Sequence, residues 1–473
     1  MHKKRIYPGI VTVSAGKIES VVETDECPEQ YIMPGLADAH VHIESSMLLP
    51  SHFAVAAVRH GTVAVVADPH EIANVLGRDG VNFMLDNAGT VPLKMVFGAP
   101  SCVPATSSES AGAKIGAAEI GEMLREGRVK FLAEMMNFPG VIYDDAEVHN
   151  KLLAAREAGV PIDGHAPGLA GEELKKYAAA GISTDHECTS LEEALEKISA
   201  GMKILIREGS AARNLDTLAP LLGYYPDEVM ICTDDLHPET LVKGHINKLV
   251  ARLISGGYDI FSVIRAATIN TFEHYHIDAG TLRPGDPADF IIVDDPSSMN
   301  VKQTWINGQC VYNGDQTLFS PGEVEKKNKF RCTRVIQDEI RVINEGGKIN
   351  VIVAINGELT TDTAIVPAGE EEFVMPRPEE DLLKIVVKER YNDKPPAAGF
   401  IRGFGLKRGA MASSVAHDSH NIIAVGTNDR DIVNAINLVI DAGGGMAVAS
   451  DEGSEILRLP VAGIMSDLPV TAM

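Results

Sequence analysis

Pro34-Gly35-Leu36-Ala37-Asp38-Ala39-His40-Val41-His42-Ile43-Glu44-Ser45-Ser46 reads as a buried strand that ends by aiming two imidazoles the same way. Side chains at i and i+2 of a strand share one face. His40 and His42 can therefore hold one cation at the strand's C-terminal end. An isolated pair of this kind also occurs on surfaces, so the rest of the chain has to decide. Strand-like runs at 36–42, 62–67, 92–98, 129–135, 160–164, 181–186, 202–207 and 229–233 alternate with helix-like runs such as 145–158, 172–180 and 191–199. That alternation is the signature of a parallel sheet with crossover helices. Eight such units in about 245 residues match the usual size of a (β/α)8 barrel, whose chemistry gathers at the strand C-termini.

The expected fold is thus α/β, a (β/α)8 TIM-type barrel over 34–279. Short strands at 10–13 and 18–22, around the turn Ala15-Gly16-Lys17, are too little chain to fold alone. Their partner is the later run 290–293, followed by 301–311 with an Asn307-Gly308 turn. Residues 1–33 plus 280–315 are expected to form one small β domain built from both flanks of the barrel. A charged stretch from Glu323 to Arg334 then leads into a C-terminal α/β or α+β domain over 320–473. It has strand candidates at 349–354, 364–367 and 383–387, a helix candidate at 430–442 and the loop Gly443-Gly444-Gly445.

With 473 residues the chain is too long for one core, and its formal charge of −24 argues against a nucleic-acid backbone as partner. Its six cysteines are scattered without paired spacing, which suggests neither a disulfide framework nor a cysteine zinc site. The basic start Met1-His2-Lys3-Lys4-Arg5 runs into Tyr7-Pro8-Gly9 rather than an apolar stretch, and no run reaches the roughly 18 apolar residues of a membrane span. A soluble cytoplasmic protein is expected, with no membrane partner. A homodimer is the commonest assembly for such a protein.

What stands at each strand end is not random. Strand one ends in His40 and His42, strand four carries Glu134, and strand five ends in Gly164-His165. Strand six ends in Asp185-His186-Glu187, and strand eight in Thr233-Asp234-Asp235. Alone, His165 reads as a hydrogen-bonded core residue and Glu134 as half of an ion pair. Together, four imidazoles with Glu134 and Asp234 suffice for two divalent ions bridged by Glu134. Such a pair shares a hydroxide made at neutral pH. Of the two aspartates, Asp234 sits nearer the strand and is the expected ligand.

The motifs 39–47, Ala67-Asp68-Pro69-His70-Glu71-Ile72-Ala73-Asn74-Val75, Gly164-His165-Ala166-Pro167-Gly168, Asp185-His186-Glu187 and 414–421 resemble the adenine deaminase family of the amidohydrolase superfamily. The resemblance implies two Mn²⁺ or Fe²⁺ ions per subunit, with Zn²⁺ also suited to the donors. It also implies hydrolysis of the purine base adenine by water to hypoxanthine and ammonia. The segment ahead of the first histidine pair is shorter than the family's usual length, which implies a trimmed small β domain. In this reading Asp234 accepts a proton from the hydroxide that attacks C6, and Glu187 protonates ring N1, with Glu71 in reserve. The bland alternative for Glu187 is a charge at a helix N-terminus.

Candidate substrate contacts are Asp68, His70 and Glu71 after strand two, Arg207 after strand seven, Asp235, and His417 and His420 in the late His417-Asp418-Ser419-His420 stretch. Loop capping, an ordinary salt bridge and the second domain's own ordering are the respective alternatives. His237 and His245 read as surface residues. A Ser/His/Asp triad in the late stretch has no geometric support from sequence order. Two competing functions remain. A cyclic amide hydrolase of the dihydroorotase or hydantoinase kind would bridge its metals with a carbamylated lysine, but Lys130 lies about 13 Å from Glu134 at strand rise, at the far end of strand four. A metal-bound binding protein without activity is the other, and ammonia release from adenine separates it.

Overall fold

The computed structural model describes residues 4–322, 324–357 and 360–472. The first three residues of the basic start, and Glu323 at the head of the charged stretch, lie outside the described residues. The chain divides into two compact units. One comprises Met1–His70, Val81–Cys102 and Ile115–Glu323, and the other Glu71–Gly80, Val103–Lys114 and Val324–Met473.

All eight expected parallel strands are present in the first unit. They are β1 (Leu36–Val41), β2 (Thr62–Ala67), β3 (Lys94–Ala99), β4 (Phe131–Met135), β5 (Ile162–Gly164), β6 (Thr184–Asp185), β7 (Lys203–Arg207) and β8 (Val229–Cys232). They form a five-stranded sheet β1-β2-β3-β4-β5 and a three-stranded sheet β8-β7-β6, with every neighbour parallel. Every residue of β1, β2, β4 and β8 is buried. That is why these strands read as near-continuous apolar runs: both faces of a parallel sheet are covered. On one face Ala39, Val66, Ala133, Leu205 and Met230 pack around Tyr275. On the other, Leu36, Ile204, Ile206, Val229 and Ile231 pack with Ala194, Ile246, Val250 and Leu253 of the helices Leu191–Ser199 and Ile246–Ser255.

Local chemistry sets the helix ends. The helix Ala146–Ala158 starts where the Asp145 carboxylate accepts the Val148 N–H at 3.0 Å and stops at left-handed Gly159. The early strands form the hairpin Gly9–Ser14 with Lys17–Glu23. Tyr31–Pro34 pairs antiparallel with Phe290–Val293, beside Val301–Ile306 and Gln309–Tyr312. Ile18, Val11 and Val13 from the start of the chain share one apolar cluster with Ala288, Phe290 and Trp305.

The second unit is built on an eight-stranded sheet: β9 (Lys348–Ala354), β10 (Thr361–Pro367), β11 (Leu383–Lys388), β12 (Ala397–Arg402), β13 (Ala410–Ser413), β14 (Ile422–Gly426), β15 (Gly445–Ser450) and β16 (Gly453–Arg458). Its order is β10-β9-β12-β11-β14-β13-β15-β16. Only β9 and β12 pair in parallel. The helix Asp429–Ala442 lies on Ala410, Ala412, Ala424, Ala447 and Ala449, whose small side chains let it sit close to the sheet.

Candidate metal centre

The donor residues expected from sequence converge in the first unit. Nε2 of His40 and Nε2 of His42 stand 3.2 Å apart. Asp234 Oδ1 lies 3.6 Å from the first and 3.1 Å from the second. Glu134 is central. Its Oε2 lies 2.9 Å from His165 Nδ1 and 3.1 Å from His186 Nε2, while Oε1 lies 3.5 Å from His42 Nε2. All are buried except His165, whose side chain is 28% exposed.

Backbone geometry delivers them. A Cβ on Gly164 would meet the Thr184 carbonyl at 2.3 Å, so only glycine lets β5 approach β6 and release His165 at its end. Asp234 adopts a left-handed conformation, with φ of +56°. Its N–H donates to the His40 carbonyl at 2.9 Å and its carbonyl accepts from His42 N–H at 3.2 Å, which couples the end of β8 to the histidine pair. An unfavourable φ held in this way fits a functional position.

Buried charges behind these candidate donors fix their orientation. Asp185 accepts the Ala166 and Glu187 N–H groups, each at 2.9 Å. Lys197 is fully buried and reaches Asp185 Oδ1 at 2.9 Å, Glu193 at 2.8 Å and the Ala166 carbonyl at 2.7 Å. Tyr177 accepts from His165 N–H at 3.0 Å and donates to the Met135 carbonyl at 2.9 Å. The Glu134 carbonyl accepts from Ser101, whose own carbonyl is held by Lys151 at 2.7 Å. Asp38 accepts from Thr233 N–H at 3.0 Å and lies 2.9 Å from His245 Nε2. His245 is therefore buried, contrary to the surface position expected for it, because Asp38 and Thr62 supply partners for both ring nitrogens. His237 is exposed, as expected.

None of these supports was legible beforehand. Lys197 sits in Leu191-Glu192-Glu193-Ala194-Leu195-Glu196-Lys197, which reads as a solvated helix face. The only hint was the Glu193/Lys197 spacing of four residues.

The electrostatics favour cations. Burial raises the Glu134 carboxyl, but His165 and His186 outweigh it and hold the group well below the usual carboxylate range. Burial likewise opposes ionisation of Asp234, which His40 and His42 nevertheless keep far down. Burial pulls the imidazoles of His42 and His186 down, yet contacts with Asp234 and Glu134 respectively raise both well above their ordinary value. For His40, burial and the neighbouring His186 prevail and lower it. Two sets of three donor atoms, from His40, His186 and Asp234 and from Glu134, His165 and His186, each lie within 4.8 Å of one another. Imidazole and carboxylate sets of this kind suit Zn²⁺, Mn²⁺ or Fe²⁺, so the residues fit a metal.

Among the other expected contacts, Arg207 joins Glu187 and Asp234. Its Nη1 lies 2.5 Å from a carboxylate oxygen of each, and Nη2 reaches the second Glu187 oxygen at 3.0 Å. Burial raises the Glu187 carboxyl, but His186, His165 and Arg207 bring it down to about 2. It is thus held as a carboxylate, a proton acceptor at rest rather than the ready donor expected. Asp235 accepts from Ser45 at 2.6 Å. Asp68 and His70 stand beside Glu134. Lys130 precedes β4 and is exposed, so it does not occupy the bridging position. Glu71, His417 and His420 belong to the second unit, where both histidines contact the Glu71 carboxylate, His417 at 2.5 Å.

Parallel strands ending in histidines and carboxylates define a class of metal-dependent hydrolases. Residues 31–311 match the model described as "Amidohydrolase family", and residues 358–473 match "Adenine deaminase C-terminal domain". The chain is 52% identical over 479 residues to an adenine deaminase of Methanosarcina mazei, covering 98% of this chain and 86% of that one. It is 48% identical to one from Salinibacter ruber, covering 99% and 86%. Two solved structures share the fold at a TM-score of 0.50 each: a β-aspartyl dipeptidase of Fervidobacterium islandicum, at 16% identity over 65% of this chain and 94% of that one, and an N-acetylglucosamine-6-phosphate deacetylase of Pasteurella multocida, at 11% over 65% and 96%. The chain belongs to the amidohydrolase family, and within it to the adenine deaminases.

Proposed function

We propose that this chain hydrolyses adenine to hypoxanthine and ammonia. What carries the reading is the convergence of His40, His42, Glu134, His165, His186 and Asp234 in a chain about half identical to adenine deaminases along nearly all of its length. The same residues would hold two divalent ions, Mn²⁺ or Fe²⁺ in this reading. When bound, such ions supply a strong nucleophile by lowering the pKa of water to about 7.

The chain's own residues then move the protons. Glu187, held ionised beside Arg207, takes the first proton from the attacking water and delivers it to ring N1, relieving the charge that attack at C6 places there. Asp234 takes the second proton from the new C6 hydroxyl and passes it to the amino group. The C6–N bond breaks, ammonia leaves, and the product keeps a C6 carbonyl and an N1–H. Arg207 keeps the two carboxylates at a fixed separation through both transfers. Asp235 is proposed as a hydrogen-bond partner for the purine edge.

The fuller architecture in this reading is a closed (β/α)8 barrel over 34–279. Closure is supported by the hydrogen bonds of His42 and Asp234 at one seam and by Ser183 N–H to the Ile162 carbonyl, at 2.9 Å, at the other. The small β domain combines 1–33 with 280–315, and the last domain spans 320–473. Among the described residues no helix is long and apolar enough to cross a membrane. We place the enzyme in the cytoplasm as a homodimer serving purine salvage. The deciding experiment follows ultraviolet conversion of adenine, adenosine and 6-substituted purines by Mn²⁺-loaded protein before and after chelation. Adenine turnover that is lost with the metal and regained on its return is the expected result. Hydrolysis of dihydroorotate or a hydantoin instead would favour the cyclic amide alternative, and saturable adenine binding without ammonia a binding protein.

A further inference from the structure

Beyond the two proposed ion positions, the first unit contains a fourfold donor cluster, of which these use two members and leave Asp68 and His70. His42, Asp68, His70 and Glu134 each offer an atom within 4.8 Å of all the others, and all four residues are buried. His70 Nδ1 lies 3.1 Å from Asp68 Oδ2 and 3.5 Å from Glu134 Oε1, the same oxygen that stands 3.5 Å from His42 Nε2. Donors around one tetrahedral ion with bonds near 2.1 Å sit roughly 3.4 Å apart, so these spacings fit a common ligand sphere.

A second observation points the same way. Asp68 Oδ1 is engaged by the His70 N–H at 3.0 Å, while the buried Oδ2 faces the cluster, with the His70 ring nitrogen at 3.1 Å as its neighbour. Two buried carboxylates that share one cluster with two imidazoles need a positive charge among them. His42 Nδ1 faces the Asp68 carbonyl at 3.2 Å and therefore carries the hydrogen, leaving the Nε2 lone pair for a cation. Glu134 presents its two oxygens in different directions, Oε2 to His165 and His186 and Oε1 to His42 and His70.

We infer that Asp68 and His70, with His42 and Glu134, form a third divalent-cation subsite adjoining the proposed pair. The inference rests on that pair, because His42 and Glu134 are shared with it. Sharing also sets the order of filling. Two ions already drawing on the Glu134 carboxylate repel a third, so this subsite fills last and weakest. Asp68 and His70 are then ligands rather than the purine contacts read from sequence.

The test is a Mn²⁺ titration of the full-length protein, with free ion read by electron paramagnetic resonance and bound ion by elemental analysis. Anomalous scattering from Mn²⁺-soaked crystals then locates each ion. Three ions per chain are expected, the last at least tenfold weaker, with an anomalous peak between Asp68 and His70. His70→Gln and Asp68→Asn should each saturate at two. Saturation of the wild type at two with no peak between those side chains overturns the inference and leaves the pair standing. Variants that still bind three ions overturn it as well. Fewer than two ions removes the pair and this subsite together. Should either variant fail to fold, the wild-type anomalous map alone decides.

Discussion

Asp234→Asn is the sharpest test of the proton path. The substitution preserves shape but removes the charge and the basic lone pair facing His42 at 3.1 Å and Arg207 at 2.5 Å. Loss of a positioned general base costs a factor of roughly 10²–10⁴, so kcat on adenine should fall by about 3–5 kcal/mol of transition-state stabilisation. Folding should suffer far less. Arg207 keeps its two-point contact with Glu187, so it is not stranded, and a stability loss of about 1–2 kcal/mol is expected, below the cost of breaking a buried pair outright. The neighbouring Asp235→Asn is the comparison variant that separates the two candidate bases: Asp235 accepts one hydrogen bond from Ser45, which an amide oxygen can also accept. Steady-state kinetics should be run beside elemental analysis of each variant, so that lost metal is not mistaken for lost base. An Asp234→Asn enzyme with kcat within threefold of wild type at equal metal content would refute the assignment, and a larger deficit in Asp235→Asn would transfer the role to its neighbour.

Glu134→Gln removes the carboxylate of the Glu134, His165 and His186 donor set, and elemental analysis after dialysis should show at least one ion lost per chain. Lys197→Met leaves the buried Asp185 carboxylate without its cation. A stability loss of about 3–5 kcal/mol is expected in urea denaturation, and a midpoint equal to wild type would contradict the support role given to Lys197. His274 gives a pH signature. Burial, with the nearby Lys203, lowers its imidazole to about 4, so between pH 6.5 and 4 the unfolded chain takes up a proton that the folded chain refuses. Stability should therefore fall as pH drops through that window, by at most about 3 kcal/mol. His274→Gln should flatten that part of the midpoint-against-pH curve, and an unchanged slope would exclude the residue as its source.

Much of this protein could be read from local pattern. Strand runs such as Thr62–Ala67 are apolar throughout because both faces are covered, and that signal lies within six residues. The convergence of the candidate donors follows from which residue ends each strand, since i and i+2 share a face whatever the rest of the chain does. Burial of single polar groups had no such signal. Lys197 is charged on a helix that reads as solvated, and only the approach of Asp185 from a neighbouring strand makes it an interior ion pair. His245 became a core residue because Asp38, from the other end of the sheet order, meets it. The resting charge of Glu187 has no local signal either, because contacts made only in the folded chain set it against the cost of burial, those of His186 first, then His165 and Arg207. Periodicity is written along the chain, whereas the dielectric surroundings of a charge are set by side chains that meet only when distant strands lie side by side, and those surroundings decide what each titratable group in this protein can do.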